Sequence, residues 1–198
     1  MKKLLFLLSL LPLSLVCQEF QSWNTLNMKI KPIKSFTVVL EQEARYGETQ
    51  VYHHTDAGLV YKLNDKLSLG GFYREIFEIK GDDRVREIRP HIDIFYKSLP
   101  SLKFRIRTEH QIKEISDDVT RLRVRPTYTY PSKKMVTPYS QTELFFTNKG
   151  FVRNRFNVGV NIRLNKISVK PGYMLQSSVK GGDVNNIHIF WVYVGLKI

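Results

Sequence analysis

Apolar and polar residues alternate with period two along most of the chain. Leu102, Phe104 and Ile106 interleave with Lys103, Arg105, Arg107 and Glu109, and Leu122, Val124, Pro126 and Tyr128 interleave with Arg121, Arg123 and Arg125. The longest run sets Phe156, Val158, Val160, Ile162 and Leu164 against Arg155, Asn157, Gly159, Asn161 and Arg163. Successive side chains of a strand point to opposite faces, so this pattern predicts strands with one apolar and one polar face. No segment behind the extreme N-terminus holds a helical period of 3.6. The expected fold is all-β.

The same reading places strands at 22–30, 36–46, 53–63, 67–79, 85–97, 102–113, 119–130, 138–147, 153–164, 167–177 and 187–198. Most are longer than the ~5–6 residues of a soluble strand and match the ~9–11 that a tilted strand needs to cross a bilayer. Connections at 64–66, 98–101 and 165–166 read as tight, whereas those at 47–50, 80–83, 114–118 and 177–186 read as looser and more polar. Short turns on one rim and longer loops on the other are the mark of an outer-membrane barrel. Single-chain bacterial barrels have even strand numbers, so either 22–30 is not a wall strand, leaving ten, or one segment is split, giving twelve. Pro90, Pro126 and Pro171 fall inside predicted strands and remove ladder donors, which predicts bulges there. A stretch running from Tyr61 to Leu69 echoes one from Ile162 to Val169, each leading to a glycine-aromatic element, and the two read as similar hairpins.

Alternation alone fits a soluble, lipocalin-like barrel with its apolar face inward as well as a membrane barrel with that face outward. So many long strands could hardly pack all their apolar side chains into one interior. Tyr61, Tyr96 and Tyr130 lie on the apolar face just before tight connections, where an interfacial aromatic girdle belongs. The opposite face carries arginines, and one arginine facing lipid at mid-depth costs ~2–4 kcal/mol. The charged face therefore meets the lumen. Its expected lining is Glu41, Glu43, Arg45, Arg105, Arg107, Glu109, Arg121, Arg123, Arg125, Glu143, Arg155 and Arg163. The last strand, apolar on both sides, leaves the faces of Trp191 and Tyr193 open.

Composition adds location. Behind Lys2 and Lys3 runs an apolar stretch from Leu4 to Val16, interrupted by Pro12 and too short for the ~20 residues of a spanning helix. That is a secretory signal peptide over 1–17, with the barrel domain over 18–198. Cys17, the single cysteine, sits at the expected cleavage point, so disulfides and thiolate metal sites are excluded from the mature chain. The formal net charge is +13, and without Lys2 and Lys3 there remain 29 basic against 18 acidic residues. Export makes nucleic acid an unsuitable partner for that charge. Outer-membrane lipid and the barrel assembly machinery are the partners expected; a small-molecule ligand is left open and no cofactor is expected.

Candidate chemistry is sparse. His53-His54-x-Asp56 and His91-x-Asp93 each put two metal ligands on one strand face, which is half a site. His110 and His188 could serve Ser140 or Ser177 in a hydrolase, but no spacing selects such a set, and no nucleophile elbow or phosphate loop is present. Asp82-Asp83 and Asp117-Asp118 sit in predicted loops, where solvated turn residues are the usual case.

Several of these elements occur together in a recognisable order: Trp23, Glu41-x-Glu43-x-Arg45, Arg105-x-Arg107-x-Glu109, Arg121-x-Arg123-x-Arg125, Glu143-Leu144-Phe145, Asn154-Arg155 with Gly159, and Gly172-Tyr173. In that order the chain resembles a bacterial family known as a domain of unknown function, whose members resemble small outer-membrane barrels. The resemblance implies a fold and no activity. The chain departs from common barrel practice at its end, where Ile198 stands in place of an aromatic residue. The expectation is an antiparallel, up-and-down transmembrane barrel of about ten to twelve strands in the outer membrane. It is not an enzyme, and its lumen is largely filled by an Arg–Glu ladder with a structural or binding role. The alternative is a passive channel with anion preference; a membrane-embedded hydrolase and a soluble secreted barrel are less favoured.

Overall fold

A computed structural model describes residues 19–47, 50–80, 83–132 and 134–198. The signal peptide expected over 1–17, with Cys17, lies outside these residues, as do Gly81 and Asp82 of one expected loop. The strands are β1 (Phe20–Ile33), β2 (Phe36–Tyr46), β3 (Gln50–Lys62), β4 (Leu67–Lys80), β5 (Asp83–Ile88) and β6 (His91–Lys97). They continue as β7 (Leu102–Lys113), β8 (Val119–Thr129), β9 (Val136–Thr147), β10 (Gly150–Leu164), β11 (Ile167–Lys180) and β12 (Asp183–Lys197).

All belong to one closed sheet in which, β5 and β6 apart, each strand pairs with its sequence neighbour and β1 closes on β12. Closure is what the bilayer demands, because an unpaired strand edge has no water to satisfy it there. The predicted strand 85–97 is split at Arg89-Pro90. Its halves, β5 and β6, lie end to end between β4 and β7. Twelve elements therefore fill eleven wall positions, and the expected even count is corrected: 22–30 is a wall strand, and the split adds no position. An odd wall cannot alternate direction all the way round. The mismatch falls at β1 and β12, which run parallel from Phe20↔His188 to Lys29↔Lys197.

Two further expectations change. Pro126 and Pro171 interrupt pairing on one side, between Val124 and Thr127 and between Val169 and Gly172, with the register unshifted. The actual bulges lie between Ile30 and Ile33, Arg45 and Tyr46, and Phe151 and Arg153. Among the described residues the predicted asymmetry of the rims is absent as well. The segment 177–186 is a hairpin whose turn, Gly181-Gly182, takes φ of 63° and 95°, values that glycine adopts without a Cβ clash. The longest interval between strands, 130–135, lies on the rim expected to be tight. The two echoing hairpins also close differently: Asn64 Oδ1 accepts from the backbone N–H groups of Lys66 and Leu67, whereas Asn165 adopts φ 53°.

The faces are those of a membrane barrel. Leu26, Leu40, Leu59, Ile92, Ile106, Leu122, Phe156 and Phe190 point outward and are exposed, while Arg107, Glu109, Arg123, Glu143 and Arg155 point inward and are buried. Near the rim that carries Asn64, Tyr61 packs on Phe36 and Tyr96 on Phe104, and Tyr128 and Tyr130 stand exposed beside them. On β12, Phe190 faces out and Trp191 and Tyr193 face the lumen. Placing a charge on the outer band tests this arrangement. Ile106→Arg should destabilise the barrel in lipid vesicles by ~2–4 kcal/mol, read from the urea midpoint of refolding; an unchanged midpoint would contradict an outward, lipid-facing Ile106.

Candidate functional site in the lumen

Cross-strand register sets opposite charges side by side. Arg123 on β8 stands between Glu109 on β7 and Glu143 on β9, and bonds both. Its Nη1 donates to Glu109 Oε2 at 2.9 Å, and its Nη2 donates to the two Glu143 oxygens at 2.9 and 3.0 Å. Arg121 closes on Glu109 through Nε at 2.6 Å, and Arg105 reaches Glu143 at 2.5 Å. Arg107 grips Asp93 with two donors at 2.6 and 2.7 Å, and Arg74 holds Asp56 at 2.5 and 3.1 Å. Glu43 takes Arg45 at 2.6 Å and the hydroxyl of Thr25 at 2.9 Å; Glu41 takes the Asn27 amide at 2.9 Å. Two-donor guanidinium–carboxylate pairing of this kind gives both strength and fixed geometry.

Aromatic rings complete the packing. Phe145, fully buried, has the guanidinium carbons of Arg121, Arg123, Arg153 and Arg155 between 4.8 and 5.8 Å from its centroid. Arg45 lies 3.7 Å over Trp23 and 3.8 Å over Tyr52. Cations stacked on ring faces gain more when desolvated. Trp23 also joins Met174 and Ile189 in the small apolar cluster of the interior.

This belt lies between two cavities. One, about 290 Å³, opens among Arg86, Arg89, Lys113, Arg121 and Arg153. The other, about 450 Å³, is lined by Lys29, Glu41, Arg105, Arg125, Lys170 and Tyr193 among others. Arg45, Arg74, Arg123 and Arg155 line both.

Of the twelve residues expected to line the lumen, eleven lie in or beside this belt. Arg163 stands apart: it is exposed at the rim and donates to Thr137 Oγ1 at 3.2 Å. Arg125 is inward and half-buried, with its Nε unpartnered. The expected lining omits Arg74, Arg89 and Arg153, and also Asp56 and Asp93, which stand in the sequence only as halves of candidate metal motifs. His54 and Asp56 share the lumen face, as do His91 and Asp93, whereas His53 faces outward on Phe77. The serine–histidine pairings do not form: His110 sits beside Asp118 at 3.5 Å, His188 bonds Tyr173, and Ser177 donates to Asn186.

The family model described as "Protein of unknown function (DUF2490)" matches residues 20–186. The chain belongs to that family. Among solved structures, a NanC porin superposes with a TM-score of 0.57 at 16% identity, covering 87% of this chain and 91% of its own. A KdgM porin superposes at 0.51 and 16% identity, covering 80% and 81%. At that identity the likeness is one of fold. A search of curated proteins finds no match.

Removing one partner of a desolvated pair leaves the other charge uncompensated. Glu143→Gln should therefore cost ~3–5 kcal/mol of barrel stability, while Arg163→Gln at the rim should stay within ~0.5 kcal/mol. Urea refolding midpoints of the two variants check the contrast.

Proposed function

We propose that this protein is an outer-membrane barrel that holds small anionic solutes in its lumen, without acting as an open pore or an enzyme. The belt of guanidiniums and carboxylates carries the reading. Buried side chains from β3, β4, β7, β8, β9 and β10, with half-buried ones from β2, meet across the interior, and a barrel of this girth is one that side chains can nearly fill. The cavity on one side of the belt presents nine arginines and lysines against two glutamates, which suits carboxylate, sulfate or phosphate groups. Outer-membrane lipid around the apolar band and the barrel assembly machinery are the partners this reading requires.

A second reading, passage of anions, is favoured by the surplus of cations. Lys29, Arg125 and Lys170 line the further cavity beyond what its carboxylates match. The two similar structures are porins by name, which accords with that reading for them.

Planar-bilayer recording separates the two. The wild-type protein should give no stable ohmic steps, and Phe145→Ala, which removes the ring at the centre of four guanidiniums, should give steps that favour anions. Steady anion-selective conductance by the wild type would replace the first reading with the second. Heat-dependent gel mobility of protein from the outer-membrane fraction tests the location.

A further inference from the structure

Three buried polar atoms of the lumen wall have no hydrogen-bond partner: His54 Nδ1, Asp56 Oδ1 and His91 Nε2. Their residues are 2%, 4% and 3% exposed. Leaving such atoms buried and unpaired costs ~1–3 kcal/mol each. They also share a geometry. His54 and Asp56 are two apart on β3 and point the same way, and Glu41 stands directly opposite Asp56 on β2. One donor atom from each of Glu41, His54 and Asp56 falls within 4.8 Å of the others. His91, from β6, brings its Nε2 to 3.7 Å from Asp56 Oδ2.

The orientation of His91 is fixed from two sides. Its Nδ1–H donates to the Arg89 carbonyl at 3.2 Å, which leaves the lone pair on Nε2 directed at Asp56. Phe72 stacks on its ring at 4.8 Å with the planes 5° apart. Phe72 can lie there because position 58 is glycine, where a Cβ would fall 2.1 Å from the Phe72 ring. An imidazole anchored through one nitrogen to a backbone carbonyl, with the other nitrogen open, is the second-layer arrangement that orients metal-ligating histidines.

We propose that Glu41, His54 and Asp56, joined by His91, bind one divalent transition-metal ion. Mixed imidazole and carboxylate donors suit zinc or copper, whereas calcium and magnesium prefer an all-oxygen shell. Arg74 is the built-in competitor. It occupies Asp56 Oδ2 at 2.5 Å and stands 3.6 Å from Glu41 Oε1, but leaves Asp56 Oδ1 open. With Arg45 matched to Glu43, Glu41 and Asp56 set two negative charges against the single charge of Arg74. Glu41, His54 and Asp56 form part of the wall of the cavity of about 450 Å³, and the metal proposal rests on their donor atoms and not on the solute reading.

The test is calorimetric titration of the full-length, detergent-folded, chelator-stripped protein with zinc chloride. One equivalent should bind. His54→Gln and His91→Gln should each weaken uptake by roughly tenfold or more. Arg74→Gln, by removing the competing cation, should tighten it several-fold. His110→Gln, at the exposed pair with Asp118, should leave it unchanged. Gel mobility before and after heating confirms folding of each variant. Electron paramagnetic resonance of the copper-loaded wild type, which should show nitrogen coupling, keeps the proposal open to refutation even if a variant fails to fold. Absence of saturable zinc uptake by both wild type and Arg74→Gln would overturn the site. So would uptake that survives both histidine changes or is lost with His110→Gln, or a copper spectrum without nitrogen.

Discussion

An arginine keeps its charge at any pH a cell offers, so every guanidinium turned into a narrow barrel must find its compensation on the inner wall itself. That requirement organises this molecule. The ladders set Asp93 directly opposite Arg107, Asp56 opposite Arg74 and Glu109 opposite Arg121, while Arg123 reaches Glu109 and Glu143 diagonally on the strands to either side. Slipping one strand by a single residue would turn its charges toward lipid and its leucines toward the lumen. The ion pairs and the apolar band thus fix the same register from opposite sides of the sheet. Phe145 and Trp23 then fill the space between the guanidiniums, including that of Arg153, which donates to Ser178.

The strands and their faces were legible because side-chain direction in a strand has a period of two and the chain respects it from Leu102 onward. Residues 102–113 and 119–129 form strands at nearly the predicted bounds, with Arg105, Arg107, Arg121 and Arg123 on the inner side. The first half was harder to read. On β4 the inward set is Ser68, Gly70, Phe72, Arg74 and Ile76, and the outward set includes Gly71 and Glu75, so neither side is uniformly polar. That mixture hides Arg74. Asp56 and Asp93 read in the sequence as halves of two metal motifs; only the cross-strand pairing shows that Arg74 and Arg107 meet them and that His91 reaches Asp56.

Wall parity was illegible for a different reason. Pro90 breaks hydrogen bonding without adding a wall position, because β5 and β6 continue one another between the same two neighbours. A sequence reports the break and not the collinearity. Loop lengths misled in the same way: the polar run Ser177 to Asn186 looks like a loop until its residues are paired, Ser177 with Asn186 and Val179 with Val184.

The parallel seam has a consequence for how the polypeptide threads its membrane. In a barrel with an even wall, the first strand enters and the last strand leaves at one rim. Here β1 and β12 travel in the same direction, so the chain leading into Phe20 lies at the rim of Gly181, and Ile198 lies at the rim of Asn64. An epitope fused ahead of the first strand and one fused behind the last would be read from opposite compartments.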